Sequence, residues 1–81
     1  MLMPDKHIRL SESLFGLGGY ALSYLSEPRT VDELWQLVSG DIRDGEYPSQ
    51  HSFESLVLAV DVLYAIGAIY VRNDGALIRC N

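Results

Sequence analysis

One cysteine, six basic side chains and no long uninterrupted apolar run set the first limits on this 81-residue sequence. Cys80 stands alone, so it closes no internal disulfide and builds no zinc site by itself, and a reducing compartment fits it best. The longest apolar stretch, Leu56 to Val71, is 16 residues long and contains Asp61. A membrane-spanning helix needs about 20 apolar residues. Met1-Leu2-Met3-Pro4 is interrupted too soon by Asp5, Lys6 and His7 to serve as the apolar segment of a secretory signal. The expectation is a cytoplasmic protein with no membrane contact.

The scarcity of bases is patterned. Residues 1–29 carry three acids and three bases, residues 30–66 carry seven acids and one base, and residues 67–81 carry one acid and two bases, for a net charge of -5. Residues 44–71 hold no lysine or arginine, so the middle of the chain repels phosphate. What is present describes a folding chain: 48% hydrophobic and 21% charged residues, unlike the polar, highly charged composition of disordered segments. A chain this short buries roughly 60% of the surface its unfolded state exposes, which is enough for one core. A single domain over residues 1–81 is expected.

Lys6-His7-Ile8-Arg9-Leu10 alternates polar and apolar residues, the period of a short half-buried strand. From Ser11, a candidate N-cap, Leu14, Leu17, Ala21 and Leu25 recur at helical spacing, with Phe15 and Leu22 widening the stripe. Pro28 ends that stretch. Thr30-Val31-Asp32-Glu33 is a capping box that starts a second helix with an apolar face of Val31, Leu34, Trp35 and Val38, and Gly40 is the expected stop. Gly40 to His51, with Gly45 and Pro48, reads as a connection anchored by Ile42 and Tyr47. Ser52 caps a third helix that Gly67 ends, and Ala68–Arg72 and Ala76–Cys80 flank an Asn73-Asp74-Gly75 turn as a β-hairpin. The expected fold class is α+β, winged-helix-like: a short N-terminal strand, three helices and a C-terminal hairpin.

Several segments suggest chemistry and then fail its requirements. Gly16-Leu17-Gly18-Gly19 lies inside a helical pattern with no preceding strand and no following lysine, so it is not a phosphate loop. Gly16, Gly19 and Ser23 instead form a small-residue stripe that lets a neighbouring helix approach, in this chain or another. His7 and His51 are single and far apart in sequence, which leaves Cys80 and the serines without a base partner, and no catalytic residue, cofactor site or small-molecule substrate is expected. Asp32, Glu33, Asp41, Asp44 and Glu46 lack the order of a calcium loop and read as a solvated face.

Nucleic-acid binding is the serious rival, because the third helix occupies the recognition position and the hairpin the wing position. Its basic edge would comprise Lys6 and Arg9 on the first strand with Arg72 and Arg79 on the hairpin. Four bases in an acidic domain bind phosphate weakly, and about a dozen residues separate the second and third helices where a DNA-reading turn uses three or four. The third helix has a different surplus. Phe53, Leu56, Val57, Val60, Leu63 and Tyr64 cluster on one side, Leu58, Val62, Ala65 and Ile66 on the other, and Glu54 and Asp61 mark a narrow polar border. A helix apolar nearly all round is normally buried on both sides. Either the first helix and the hairpin cover both faces, or a partner covers one.

Pro4 to Ser13, Arg29 to Trp35, Ser52-Phe53 and Leu63 to Gly67 together resemble the small middle component of bacterial ABC-three-component systems, closest to the subgroup called middle component six, over nearly the whole chain. That resemblance implies an anti-phage defence setting in which a small middle protein bridges an SMC-like or ABC-type ATPase and a variable effector. It implies no catalytic residue. The leading expectation is therefore a non-catalytic adaptor docking through Leu58, Asp61, Val62 and Ile66, together with the Gly16, Gly19, Ser23 stripe. The alternatives are a winged-helix transcription regulator, dimeric or not, and a homodimer formed through the same face.

Overall fold

The computed structural model describes residues 4–47 and 51–80, with side chains from residue 14 onward within those spans. Helix α1 runs Pro4–Ser23, α2 Val31–Asp44 and α3 Phe53–Ala65, followed by strands β1 (Ile69–Val71) and β2 (Leu77–Arg79). This is a small α+β fold of three helices and a C-terminal antiparallel hairpin.

The expected N-terminal strand is overturned, since residues 6–10 belong to α1 and Ser11 lies inside it. Pro4 suits a first helical turn, where its missing N–H has no intrahelical partner to lose. No second proline intervenes before Ser23, so five residues of polar–apolar alternation are absorbed into one hydrogen-bonded helix. The hairpin's additional partner comes from elsewhere. Arg29, in the link between α1 and α2, pairs with Leu77 on β2, with Leu77 N–H donating to the Arg29 carbonyl at 2.7 Å. Arg29 Nε also donates to the Tyr24 carbonyl at 2.8 Å, closing the turn after α1.

The capping box of α2 forms as its sequence implies. Thr30 N–H donates to Glu33 Oε1 at 2.9 Å, and Glu33 N–H donates to Thr30 Oγ1 at 3.2 Å. Gly40, expected to stop this helix, lies within it; the stop is Gly45, with φ of 82°. Asp41 and Ile42 explain the extension, because both continue the inward stripe begun by Leu34 and Val38, and Ile42 packs on the core. Tyr47 packs there too, as expected of an anchor, while Pro48 lies outside the described residues. Ser52 caps α3 by accepting from Ser55 N–H at 3.2 Å. In the hairpin Tyr70 faces Ile78 and Val71 faces Leu77 in register, and Gly75 adopts φ of 89° in the turn.

The core gathers Leu17 and Ala21 of α1, Leu25 in the turn just after it, Leu34 and Val38 of α2, Leu56, Ala59, Val60 and Leu63 of α3, and Ile69 and Leu77 of the hairpin. Phe15, expected to widen the buried stripe of α1, is 67% exposed.

Candidate functional site

The buried residues of α3 fix which way that helix faces. Leu56, Ala59, Val60 and Leu63 point inward, so the side opposite carries Glu54, Leu58, Asp61 and Ala65, all exposed. Val57 and Val62 are half-buried on the flanks. The expected core side of this helix is corrected by this geometry: Tyr64 is 59% exposed, and Ala59 takes the inward position instead. Leu58 is 54% exposed and Ile66, just past the helix end, 67%. Glu54 and Asp61 accordingly run down the outward face with apolar residues on either side, where the sequence pattern had them as a border between two faces.

The reason lies in α1. Gly18 is buried, and a Cβ on it would sit 3.5 Å from Leu63 Cδ2, so α3 packs against α1 at this glycine. The sequence carried a signal for it, since Gly18 falls four residues after Leu14 and three before Ala21, within the apolar stripe. Gly16 and Gly19 are exposed, and no other described helix of this chain approaches closely at either. A Cβ on Gly16 would lie 3.6 Å from the Tyr47 hydroxyl, and one on Gly19 would meet nothing within 4 Å. Ser23 is exposed and donates from Oγ to the Tyr20 carbonyl. The helical step places Gly16, Gly19 and Ser23 on the side of α1 away from Gly18, and so away from α3. The structure does not join this stripe to the outward face of α3.

A polar cluster that the sequence did not announce fastens α1 to α2. The hydroxyls of Tyr20 and Tyr24 both donate to Asp41 Oδ2, so Asp41 is a structural acceptor and not part of a solvated acidic face. The two tyrosine rings meet edge to face at 5.8 Å, Tyr47 tilts over Tyr20 at 4.5 Å, and His51 lies 5.6 Å from Tyr47. The Tyr20 hydroxyl, and after it that of Tyr24, holds the Asp41 carboxyl below its ordinary pKa against the opposing effect of partial burial. The same hydrogen bonds raise both tyrosines above theirs. Burial raises Tyr47 and lowers His51, whose Nε2 is enclosed with no hydrogen-bond partner among the described residues. His51 borders a cavity of about 380 Å³ with Trp35, Ser39, Ile42 and Arg43.

Asp41→Asn is expected to lower the melting temperature at neutral pH and to flatten its pH dependence. A carboxylate whose folded pKa is depressed contributes stability above its unfolded value, about pH 4, and loses it as pH falls through the folded value. A tyrosine whose folded pKa is raised contributes below about pH 10 and loses that contribution as pH rises further. The parent chain should therefore melt earlier at both extremes, more steeply than the variant. Superimposable plots of melting temperature against pH would mean the cluster stabilises nothing.

The strand expected to carry half of the basic edge is not formed. Lys6 and Arg9 belong to α1, not to a strand beside the hairpin, and their side chains lie outside those described. Arg72 is held by Asp74 through Nε at 3.0 Å and Nη2 at 2.8 Å, which brings the Asp74 carboxyl down to about 2. Arg79 is exposed beside a cavity of about 340 Å³ that Leu25, Ser26, Pro28 and Ile78 also line. The exposed side of α3 carries two acids and no base. Among the described residues no cluster of three histidine, cysteine, aspartate or glutamate side chains suits a metal, and no helix is long and apolar enough to cross a membrane. Cys80 is free and exposed.

A family model described as ABC-three component (ABC-3C) system Middle Component 6 matches residues 3–80. No curated protein and no solved structure matches the chain.

Proposed function

Because the chain belongs to the Middle Component 6 family of ABC-three component systems, we propose that it is a non-catalytic adaptor bridging an SMC-like or ABC-type ATPase and an effector in a bacterial defence complex. It acts in the cytoplasm as one winged-helix-like domain; the Arg29 bridge to the hairpin and the three-helix core support that reading of the fold. The observation that carries the function is the outward face of α3. Leu58 and Ala65 are exposed there, with Val62 half-buried on the flank and Ile66 exposed just past the helix end, on a helix whose opposite side already fills the core. Apolar surface of this kind, left over after the core is closed, gains free energy when a partner removes it from water.

The test is co-expression of the tagged chain with the ATPase and effector of its own system. Leu58→Asp combined with Val62→Asp should leave the circular dichroism spectrum unchanged, because neither side chain belongs to the buried core. Recovery of the partners should fall at least tenfold, the equivalent of about 1.4 kcal/mol. Undiminished recovery from a folded double variant would remove this face from the interface. Tight retardation of duplex DNA at roughly physiological salt, abolished by Arg72→Glu with Arg79→Glu, would replace the adaptor with the transcription regulator.

A further inference from the structure

Glu54 and Asp61 both point outward from the middle of the face that the adaptor reading assigns to a partner. They are two helical turns apart, which puts them about 10 Å from one another along the axis and only about 20° apart around it. Leu58 and Ala65 lie to one side of this line and Tyr64 to the other, all exposed. Neither acid makes an ion pair among the described residues. A partner that covers the apolar flanks must therefore cover both carboxylates. An ionised carboxylate taken out of water without a counter-charge is strongly unfavourable, whereas one paired with a hydrogen-bonded cation is not.

Resting on the adaptor reading, we propose that the partner surface seated on α3 is basic at two points: it presents two arginine or lysine side chains about 10 Å apart, set between apolar side chains. One meets Glu54 and the other Asp61. The same face on a second copy does not have that chemistry. Residues 44–71 hold no lysine or arginine, so α3 docking on α3 brings four carboxylates together with no cation from either helix. The nearest base after the helix, Arg72, is already bound to Asp74. Charge complementarity thus selects a different protein over α3-to-α3 self-association and speeds its encounter.

Binding of the full-length chain to the purified ATPase, and separately to the purified effector, decides the matter when measured across a range of salt concentrations. With Glu54→Gln plus Asp61→Gln the affinity for the partner that docks on α3 should drop roughly 10- to 100-fold at low salt, and its salt dependence should flatten. Glu54→Lys plus Asp61→Lys should weaken binding further. Both positions are exposed, but Glu54 also stands in the first turn of α3, so the melting temperature should fall modestly while the circular dichroism spectrum stays that of the parent. If both charge variants bind like the parent at every salt concentration while Leu58→Asp with Val62→Asp does not bind, the adaptor stands and the basic partner surface is wrong. If the apolar variant binds as well, the adaptor reading fails with it. A concentration-dependent dimer in light scattering, strengthened by the glutamine variant and abolished by the apolar one, would make a second copy the occupant and overturn the proposal.

Discussion

Leu56→Ala is expected to cost about 2–5 kcal/mol of folding stability, the range for deleting a fully buried leucine side chain. Leu56 is 0% exposed in the first turn of α3, within the core cluster shared by all three helices and the hairpin. An 81-residue chain at roughly 0.05–0.15 kcal/mol per residue has about 4–12 kcal/mol in total, so this one truncation removes a large share. Leu58→Ala supplies the control. It sits two residues away on the outward face, 54% exposed, and should change stability by about 0.5 kcal/mol or less. Urea titrations followed by circular dichroism separate the two: the midpoint should fall sharply for Leu56→Ala with little change in slope, and scarcely move for Leu58→Ala. Comparable effects at both positions would mean that α3 does not turn Leu56 inward and Leu58 outward.

Adjacent glycines of α1 should respond in opposite directions. Gly19→Ala adds a methyl group where nothing lies within 4 Å, and replacing a glycine inside a helix should gain about 1 kcal/mol. For a domain of this size that is a rise of about 4–8 °C in melting temperature. Gly18→Leu pushes a branched side chain into the space Leu63 fills, since even the first added carbon would lie 3.5 Å from Leu63 Cδ2. Overpacking of this kind costs about 1–3 kcal/mol, and scanning calorimetry should show a lower melting temperature. Gly18→Ala discriminates crowding from a need for glycine itself, because 3.5 Å is ordinary van der Waals contact. It should be tolerated. A Gly19→Ala chain that is more stable yet no longer recovers its partners would bring the Gly16, Gly19, Ser23 stripe into the interface.

The sequence reading succeeded where a local rule acts alone. Thr30 and Glu33 cap α2 because both partners lie within one turn, and Ser52 caps α3 for the same reason. Leu17, Ala21 and Leu25 were identifiable as core because helical spacing aligns them whatever they pack against. It failed where two local signals competed. Residues 6–10 alternate like a strand, yet they adjoin a long helical stripe, and helix propagation adds a hydrogen bond per residue while an isolated strand finds none until a partner arrives. Gly40 resembled a helix stop, but Asp41 and Ile42 had tertiary contacts to make beyond it, and these outweigh the roughly 1 kcal/mol penalty of an internal glycine.

The candidate surface divides along the same line. Charge distribution is a property of composition, so the absence of bases from residues 44–71 already disfavoured DNA before any fold was known. The presence of apolar residues all round the third helix was likewise legible, because periodicity counts residues without needing neighbours. Periodicity cannot say which side is covered. That was decided by Gly18 admitting Leu63 and by Ala59 turning inward, contacts between segments about 40 residues apart in sequence that no local pattern encodes. Only after that rotation is set do Glu54 and Asp61 move from the margin of α3 to the middle of its free face. The sequence by itself determined that this helix has more apolar surface than a small core needs. The tertiary structure decided which part is left over, because burial is a relation between distant segments and not a property of either one.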